Sequence, residues 1–550
     1  MDKNVKIIND KKYLWHYEKV GDARIYFKGL FWHGHKYFQN LQACRKLSEI
    51  FCTGRGSPFS SATINIFREK ILKLRGHFSF IIANEKFVLA FVDKIRSYPI
   101  FYCNKSDTLF ISNSAKRIQT EAGLYESDKV SLLEFEMAGY VTGGKTLFEN
   151  LSQLQAGEFL YYDKFQRKFE AVRYYRYWSD EPPESDDQDD IGVLHEVVMK
   201  TFKDMIETLG GRPVWIPLSG GLDSRLILAL LHNLGYADIT AFSYGMPGLW
   251  EAKEAKKVAD FLKVRWRYIP YEPKRIKRMF HTTERERYFR FASGLTSLPF
   301  LADFYAIWLL REENAIPNDA IFINGQTGDY LTGGHVPRKT REIGSARVTV
   351  DVLIRAIVEK HFSLWTNLKN EGNLALISGR ILDGVGLSPD AMLSAQEFAK
   401  YYELHEWQER QAKYVVNGQR MYEWFGYDWR LPHWSEDLMA FWAKVDWRKK
   451  YLQRLYKEYL KRYNIAGVFT PPSLPGVQYA PFGIKIMNRL FVLLAAATGM
   501  DDAELQQKYS RYFMSYAPFY PQRSYFEYLK DSRWHRSCVS YLAKEVLKGV

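Results

Sequence analysis

Short runs of β-branched and aromatic residues, broken by Gly, Asn or Asp, dominate the first 178 residues of the chain. Examples are "ARIYFKGLFW", "FSFIIANEKFVLAFVDK" and "GEFLYYDKFQRKFEAVRYY", in which the polar breaks "ANEK" and "YDKFQRK" are typical of hairpin turns. The stretch "SLLEFEMAGYVTGGKTLFENL" has instead the spacing of a helix that ends at a glycine turn. The pattern predicts a β-rich domain over residues 1–178.

The hydrophobic pattern changes after residue 192 to helices that alternate with strands. "IGVLHEVVMKTFKDMIETLG" is an amphipathic helix, "PVWIPL" a short buried strand, and "DSRLILALLHNLG" a helix closed by glycine. Because "DITAFSYG" and "EAKEAKKVADFLK" repeat this order, we predict a parallel sheet with right-handed crossovers. After about residue 350 the pattern is mainly helical. We therefore predict a second domain over residues 193–550, with a helical tail.

The stretch between these domains, residues 179–192, reads "SDEPPESDDQDDIG". It carries seven acidic residues between Asp180 and Asp190, two prolines, and no large apolar residue before Ile191. Such a composition cannot bury enough apolar surface to order itself. It predicts a linker, and the fold class is that of a two-domain α/β and α+β protein.

The net charge of +14 over 550 residues indicates an anionic partner. Lys and Arg are spread along the chain without a zinc-finger, homeodomain or RRM pattern, so we expect no nucleic acid partner. Nucleotides and acidic sugars suit the same field, as does peripheral contact with an anionic membrane.

The cysteines and the apolar runs favour a cytoplasmic location. Cys44, Cys52, Cys103 and Cys538 form no CxxC pair and no metal-binding spacing, which indicates a reducing compartment. The N-terminal residues contain no apolar signal core. The longest apolar run, "LFVLLAAATGM", is roughly half the length that a transmembrane helix needs.

A double glycine stands where the predicted strand "VWIPL" meets the helix that follows. Gly220 and Gly221 allow a ligand to approach the backbone closely, and the helix N-terminus adds unpaired N–H groups. This loop is not a Walker A motif, because Asp223 stands where that motif has lysine. An acid beside phosphates needs a bridging divalent metal, which predicts Asp223 as a Mg²⁺ ligand. Simple helix capping by Ser and Asp remains the alternative, although it leaves the double glycine unexplained.

The loop "PLSGGLDSR" resembles the PP-loop of ATP pyrophosphatases, in particular that of the asparagine synthetase family. Three further stretches are similar to this family, namely "TAFSYGMPGLWEAKEAKKVADFLKV", "FINGQTGDYLTGGH" and the helical segment that ends in Arg430-Leu431-Pro432. The resemblance implies binding of ATP and Mg²⁺, with Asp329 as the second metal ligand beside Asp223. The residues that it implies for ATP are Leu218, Ser219, Gly220, Gly221, Leu222, Asp223, Ser224, Phe242, Ser243, Tyr244, Asn324 and Gly325.

The front of the chain is similar to the glutaminase-type domain that these synthetases carry, an N-terminal nucleophile (Ntn) hydrolase-like β-sandwich. Glutamine-dependent members need a cysteine as their first residue, whereas Asp follows Met1 here. We expect a front domain that is a scaffold and releases no ammonia from glutamine. The amine or ammonia would then come from solution or from a separate partner protein.

Three residues are predicted to act in catalysis. Gln326 stands where the family commonly has Glu, and an amide cannot accept a proton. Lys485, in "YAPFGIKIMNRL", is our choice for the family's lysine that stabilises the acyl transition state, against a solvated loop lysine. Arg225 is expected to assist with phosphate, or else to lie on the helix surface.

The resemblance implies an ATP-dependent ligase that activates a carboxylate as its adenylate and forms an amide. We expect a small-molecule or glycan carboxylate, with a uronic or similar sugar acid of bacterial surface-polysaccharide assembly favoured. Intramolecular cyclisation of the β-lactam synthetase or lasso-peptide cyclase type is an alternative. A catalytically silent, nucleotide-binding partner subunit and a PP-loop RNA-modifying enzyme are the others.

Overall fold

The computed structural model describes residues 4–52, 60–178, 189–469 and 539–548, with isolated positions at 486, 490, 493 and 497. The front domain contains eleven strands in this part of the chain, which pair mainly as antiparallel neighbours. The strands are β1 Val5–Ile8, β2 His16–Val20, β3 Ala23–His33, β4 Lys36–Gln39, β5 Leu74–Ala83, β6 Phe87–Val92, β7 Phe101–Lys105, β8 Thr108–Ser112, β9 Ser152–Gln153, β10 Glu158–Asp163 and β11 Lys168–Arg173. The helices of this domain are α1 Asn40–Phe51, α2 Ser61–Leu72, α3 Ala115–Glu121 and α4 Lys129–Ala138.

These strands form two sheets that pack face to face. One sheet has the order β1-β8-β7-β9, and the other has the order β11-β10-β6-β5-β3-β2 with β4 paired to β3. Because successive side chains of a strand point to opposite faces, Ile81 of β5 packs between the sheets while Phe80 and Ile82 face α1 and α2. The structure confirms the predicted β-sandwich and the hairpin turns at 84–86 and 164–167.

The second domain is built on a five-stranded parallel sheet in the order β14-β13-β12-β15-β18. Its strands are β12 Val214–Pro217, β13 Ile239–Gly245, β14 Arg265–Pro270, β15 Ile321–Ile323 and β18 Asp428–Arg430, and β16 Val348–Thr349 pairs separately with β17 Met392–Leu393. The chain runs from β12 outward to β14 and then returns to the other side of β12, which places the topological switch point between β12 and β15. Ligands of open α/β sheets bind at this point.

Helices surround the parallel sheet. They are α5 Asp190–Glu207, α6 Leu222–Asn233, α7 Trp250–Phe261, α8 Pro273–Phe280, α9 Thr283–Ser293, α10 Phe304–Glu312, α11 Gly328–Leu331, α12 Arg338–Ile343, α13 Val350–His361, α14 Glu371–Val385, α15 Ala395–Glu406, α16 Arg420–Trp424, α17 Glu436–Lys444, α18 Trp447–Lys450, α19 Arg454–Tyr463 and α20 Val539–Leu547. A π-helix, Trp407–Val415, continues α15 without a break. No helix of the described residues is both long enough and apolar enough to cross a membrane.

The structure corrects the end of the predicted linker. Residues 179–188 lie outside the described residues, but helix α5 already begins at Asp190. The Asp189 side chain accepts a hydrogen bond from the Gly192 N–H at 3.1 Å and caps this helix. Acidic residues favour a helix N-terminus because they accept hydrogen bonds from its free N–H groups and complement its dipole. An acidic stretch can therefore continue into the start of a helix, and its composition does not show where the linker ends.

Polar contacts join the two domains along the π-helix and the segment after it. The Trp407 indole N–H donates to the Lys94 carbonyl at 3.0 Å, and the Arg420 guanidinium donates to the Ser97 carbonyl at 2.8 Å. Lys94 also pairs with Glu436. The front domain therefore supports the part of the second domain that lies beside the sheet's switch point.

Candidate active site at the switch point of the parallel sheet

The loop between β12 and α6, residues 218–221, is held in shape by two serines. The Ser219 N–H donates to the Ser224 hydroxyl oxygen at 3.1 Å, and the two hydroxyls lie 3.2 Å apart. The Gly221 N–H donates back to the Ser219 hydroxyl oxygen at 3.2 Å. Gly221 caps helix α6 without any side-chain hydrogen bond to the first turn. The free N–H groups of that turn thus face the loop as an anion-binding surface.

A second loop, residues 324–327 between β15 and α11, presses directly against this first one. A Cβ atom at Gly325 would lie 2.7 Å from the Ser224 nitrogen, and one at Gly328 would lie 2.3 Å from the Asp223 Cγ. Real Cβ atoms do not approach other atoms so closely, so a larger residue at Gly325 would meet the α6 backbone and one at Gly328 would displace the Asp223 side chain. This contact brings Asp223 and Asp329 together from strands that are neighbours in the sheet but more than a hundred residues apart in sequence.

The two aspartates differ in their electrostatics. Burial, followed by the charge of Asp329, raises the pKa of Asp223 to about 7, and its Oδ1 atom has no hydrogen-bond partner among the described residues. Burial also raises the pKa of Asp329, but the hydrogen bond and charge of His335 outweigh it and hold that pKa below its usual range. The Asp329 side chain remains 56% exposed.

This arrangement fits a divalent cation. An enclosed carboxylate oxygen without a partner, next to a second carboxylate that is exposed, is what Mg²⁺ binding between two acids and a phosphate requires. Within the described part of the chain there is no cluster of three or more Cys, His, Asp or Glu residues suited to a metal. Asp223 and Asp329 would therefore hold Mg²⁺ together with phosphate oxygens and water.

His335 links Asp329 to a buried glutamate. Its Nε2 lies 3.0 Å from Asp329 Oδ2, and its Nδ1 lies 2.5 Å from Glu406 Oε1. Although burial opposes it, hydrogen bonding to the two carboxylates raises the pKa of His335 to about 9. The imidazolium therefore fixes the orientation of Asp329 from behind, as outer-shell partners of metal ligands do.

A buried acid organises the other end of the second loop. Asp303 accepts hydrogen bonds from the hydroxyls of Tyr244 and Tyr422, the latter at 2.9 Å, and burial raises its pKa. The Asn324 side-chain amide donates to the Tyr422 hydroxyl at 3.1 Å, while its carbonyl oxygen accepts the Gln326 N–H at 2.8 Å. Tyr244 and Asn324, both expected at the ATP site, thus share one network.

Gln326 is held by another amide. The Gln419 side-chain N–H₂ donates to Gln326 Oε1 at 2.8 Å, so that oxygen acts as an acceptor in the cavity wall. The residue after it, Thr327, adopts a left-handed φ of 79°. Such backbone strain in a non-glycine residue occurs mainly at functional sites.

Several of the predicted ATP-binding residues support the loop from behind. The Ser243 hydroxyl donates to the Leu218 carbonyl at 2.7 Å and accepts the Trp266 indole N–H at 3.0 Å. Phe242 is fully buried in the sheet, and its carbonyl accepts the Leu218 N–H at 2.8 Å. Gly220 lies against Trp250, and a Cβ atom there would come 3.0 Å from that ring. Leu222 begins helix α6.

Arg225 also braces the loop through backbone atoms. Its guanidinium donates to the Gly220 carbonyl at 3.0 Å and to the Val468 carbonyl at 3.2 Å, and the side chain is buried. Helical side chains point toward the N-terminus of their helix, which brings Arg225 back under the loop. Lys485 lies outside the described residues.

The opposite wall of the site comes from the π-helix. Arg410, Gln411, Tyr414 and Val415, which we name the π wall, face the same cavity as the two loops. Glu409, just before Arg410, and Lys413, just before Tyr414, point to the front domain instead. Because a π-helix turns once in about 4.4 residues, positions four and five apart share a face. The π wall thus borders the second loop, where the Thr327 hydroxyl donates to Gln411 Oε1 at 3.2 Å.

The cavity has a volume of about 430 Å³ and brings together nine of the sequence-predicted residues. These are Ser219, Gly221, Asp223, Ser224, Tyr244, Asn324, Gly325, Gln326 and Asp329. Sequence reasoning missed Phe300, Asp303, Thr327, His335, Arg410, Gln411, Tyr414 and Val415. Of these residues, His335 could have been predicted, because it is the last residue of the quoted motif "FINGQTGDYLTGGH". No sequence feature pointed to the π wall.

A comparison with protein-family models matches residues 202–466 to asparagine synthase. No curated protein sequence matches the chain. Two solved structures show weak similarity. One is described as the allosteric regulatory enzyme of purine biosynthesis, with 9% identity, 56% of each chain covered and a TM-score of 0.19. The other is glutamine phosphoribosylpyrophosphate amidotransferase from B. subtilis complexed with ADP and GMP, with 11% identity, 56% of this chain and 62% of that chain covered, and a TM-score of 0.16.

The alignments span only 56 and 62% of the length of these two solved chains. At such low TM-scores they carry no argument about fold or function. The family match covers the β12–α6 loop, the second loop and the π wall together, so every described residue of the cavity lies within it.

Proposed function

We propose that this protein activates a carboxylate with ATP and forms an amide, because residues 202–466 match the asparagine synthase family, whose members are ATP-dependent amide-forming ligases. The products are the amide, AMP and pyrophosphate. The observation that carries the proposal is the meeting of Asp223 and Asp329 beside the serine-braced loop, at the switch point of the parallel sheet. A helix N-terminus next to two acids suits a nucleotide whose phosphates are bound together with a metal.

In the proposed reaction the phosphates lie on the β12–α6 loop, where Ser219, Ser224 and the first-turn N–H groups of α6 bind them. Mg²⁺ held by Asp223 and Asp329 would neutralise charge on the departing pyrophosphate. An oxygen of the substrate carboxylate attacks the α-phosphorus, and the bond to the bridging oxygen of the β-phosphate breaks. The resulting acyl-adenylate divides one difficult step into two easier ones.

The amine nitrogen then attacks the acyl carbon, the bond to AMP breaks, and the amine loses a proton. Gln326 cannot take that proton because its side chain is an amide already bonded to Gln419. The amine therefore enters as its free base, and the proton that it loses when the amide forms passes to water or to another basic group. We assign Lys485 to the developing charge on the acyl oxygen, as the family resemblance implies.

We propose that the amine comes from free ammonia, a small amine or a separate protein, and not from glutamine hydrolysis in the front domain. The described cysteines support this assignment. Cys44 is buried, and burial raises its pKa to about 12, while burial also raises the pKa of Cys52 and Cys103. None of these three thiols is poised to form the thiolate that attack on glutamine requires.

For the carboxylate we propose a uronic or related sugar acid, as used in bacterial surface-polysaccharide assembly. The net charge of +14 supports an anionic substrate of this kind. The silent-subunit alternative is disfavoured by the cavity itself, since the metal-binding pair and the braced loop are both in place.

The test is pyrophosphate release from ATP with Mg²⁺ and ammonium, across uronic acids, nucleotide-linked uronic acids, aspartate and peptide acids. We expect release that depends on one class of acid and falls at least about 100-fold in Asp223→Asn. Asp319→Asn is the matched control, because Asp319 is exposed and far from the cavity in the fold. Formation of ADP in place of AMP would contradict the proposal, and turnover of a peptide acid alone would favour a cyclase.

A further inference from the structure

The π wall contains one cation, Arg410, whose guanidinium makes no hydrogen bond among the described residues. Arg410 lines the cavity with its side chain 34% exposed. Its one ion pair in the described part of the chain is with Glu406, at 4.0 Å, and its guanidinium makes no hydrogen bond there. The side chain passes within 5.9 Å of the centre of the Tyr414 ring, which supports it on the cavity side.

Glu406 has little capacity left for Arg410. Its Oε1 lies 2.5 Å from His335 Nδ1 and accepts the Gln411 side-chain N–H at 3.1 Å. Its Oε2 faces Lys360 at 3.4 Å and His361 at 3.6 Å. A carboxylate that already has these partners within 3.6 Å gains little from a guanidinium at 4.0 Å. The positive charge of Arg410 is therefore directed to the cavity.

The wall that carries Arg410 is rigidly supported. On its other face, Lys413 donates to Glu409 at 2.5 Å and to the Gly143 carbonyl of the front domain at 2.6 Å. The Glu409 carboxylate accepts the Gly143 N–H at 3.2 Å. A binding group on such a support loses little conformational freedom when a ligand arrives, which favours selective recognition.

The position of Arg410 relative to the phosphate site decides what it can bind. The β12–α6 loop supplies its own hydroxyl and N–H donors for phosphate, and the reacting carboxylate must lie next to that loop. Arg410 stands on the π wall, beside the aromatic rings of Tyr414 and Phe300, whose centres are 6.2 Å apart. Among the described residues, none of the hydrogen bonds that brace the β12–α6 loop involves Arg410, so Arg410 is available for a different anionic group in the cavity.

We propose that the acyl substrate carries a second anionic group in addition to its reacting carboxylate, and that Arg410 binds this group from the π wall. This inference rests on the proposed ligase function and narrows its substrate class to acids with at least two negative charges. A sugar acid that bears a phosphate or a second carboxylate has the required chemistry. Arg410 is a specificity residue in this scheme, because it contacts the substrate away from the bond that forms.

The experiment compares two acids that differ in the second charge. Methyl β-glucuronoside has one carboxylate, whereas glucuronic acid 1-phosphate adds a phosphate. Pyrophosphate release is measured with both acids in wild type, Arg410→Gln and Arg410→Lys. Arg355→Gln is the matched control, because Arg355 is exposed on α13, away from the cavity.

With wild type we expect kcat/KM for the phosphorylated acid to exceed that of the glucuronoside by about 30-fold or more. Arg410→Gln should lower kcat/KM for the phosphorylated acid by about 10- to 100-fold and for the glucuronoside by less than about threefold, with the KM for ATP unchanged. Arg410→Lys should fall between, since it keeps the charge without the planar fork.

Three results would overturn the inference. An equal loss with both acids would make Arg410 a structural residue, and a raised KM for ATP would assign it to the nucleotide. Wild-type turnover of singly charged acids alone would exclude the substrate class. In each of these cases pyrophosphate is still released, so the result contradicts the role of Arg410 and not the proposed ligase function. The ligase function would be contradicted by a different result, namely no pyrophosphate release with any acid of the wider panel. Thermal unfolding of each variant excludes loss of the fold as the cause.

Discussion

On the side of the β12–α6 loop, the cavity is shaped by backbone contacts over a few residues, whereas the π wall is shaped by side chains that reach into the other domain. The first wall depends on Gly325 and Gly328, which let two loops touch. The second depends on Lys413 and Glu409, which bind the front-domain residue Gly143. One wall is thus a local property of the parallel sheet, and the other exists only in the assembled two-domain chain.

This difference separates the residues proposed to bind ATP and metal from the residue proposed to select the substrate. The residues proposed to bind phosphate and metal lie on the locally built wall, while the residue proposed to select the substrate lies on the wall that needs the front domain. We infer that the front domain contributes to substrate choice by holding the π-helix in place. Four variants test how far the two walls are independent.

The largest effect is expected for Lys413→Met, which cuts the π wall from the front domain. Lys413 and Glu409 are fully buried, so the variant leaves an uncompensated carboxylate. We expect the free energy of unfolding to fall by about 3–5 kcal/mol, measured by urea denaturation. Adding Glu409→Gln should recover at least half of this loss.

Lys203→Met, at an exposed position of α5, is the control and should change the free energy of unfolding by less than about 0.5 kcal/mol. A small effect of Lys413→Met as well would mean that the π-helix stands without the front domain. The two walls of the cavity would then not differ in their dependence on the front domain.

The next largest effect is expected for Gly328→Ala on the other wall. The backbone angles at Gly328 permit alanine, but the new Cβ would lie 2.3 Å from Asp223 Cγ and displace that carboxylate. Pyrophosphate release should fall at least about 100-fold, because misplacement of a reacting group by about 1 Å has this cost. The fold should persist, as judged by circular dichroism.

Gly379→Ala provides the matched control, since the space around Gly379 in α14 is open and alanine favours a helix. Its activity should equal that of wild type. Wild-type activity of Gly328→Ala, in turn, would show that Asp223 does not need its observed position.

A smaller effect should appear in the way that the stability of the protein depends on pH, through a histidine that precedes the π-helix. His405, in the last turn of α15, is buried with no hydrogen-bond partner for either ring nitrogen among the described residues, and burial followed by the charge of His361 lowers its pKa to about 3. A histidine in the unfolded chain takes up its proton near about pH 6.5. The contribution of neutral His405 to the free energy of unfolding is therefore fully present above that pH, and it is lost as the pH falls from about 6.5 toward 3.

His405→Leu removes this contribution. Between pH 7 and pH 5.5 the wild type should lose about 1 kcal/mol more stability than the variant, measured by denaturant unfolding at each pH. His35→Leu, at an exposed histidine, should follow the wild type. Parallel curves for wild type and His405→Leu would show that His405 is not kept neutral by the fold.

The smallest effect is expected for Ser224→Ala in the β12–α6 loop. The variant removes the acceptor for the Ser219 N–H and loosens the loop before ATP binds. The KM for ATP should rise about fivefold with kcat within about twofold of wild type, as for a loss of about 1 kcal/mol of binding. Ser345→Ala, at an exposed serine, should leave both constants unchanged. A loss in kcat alone would give Ser224 a role in the chemical step.

The β12–α6 loop could be predicted from the sequence because its own determinants are neighbours in the chain, whereas its contact with the second loop joins residues more than a hundred positions apart. A strand, two glycines and a helix specify the loop that contains Ser219 and Asp223, and β13 and β15 follow the same alternating pattern. The polar break "ANEK" between two apolar runs likewise indicated the hairpin at Asn84 between β5 and β6. In these cases the spacing of a few residues contains the whole signal.

The π wall could not be predicted, because "WQERQAKYV" has the composition of an ordinary helix. The wider turn depends on contacts with residues near 94 and 143, which lie far away in sequence. Arg225 was expected to assist with phosphate because it lies next to the loop in sequence. Helix geometry instead turns its side chain back, and it donates to the Gly220 carbonyl. Long-range contacts and side-chain direction decided both outcomes.

The buried ammonium of Lys413 also limits how this protein can be engineered. A fragment made of residues 189–550 would keep the whole family match, yet it would lose the carbonyls of Val141 and Gly143 that accept hydrogen bonds from Lys413. The indole of Trp407 would lose its partner at Lys94 in the same cut. Such a fragment would expose an aromatic and charged surface built for burial, and it should aggregate during expression unless the front domain is supplied alongside it.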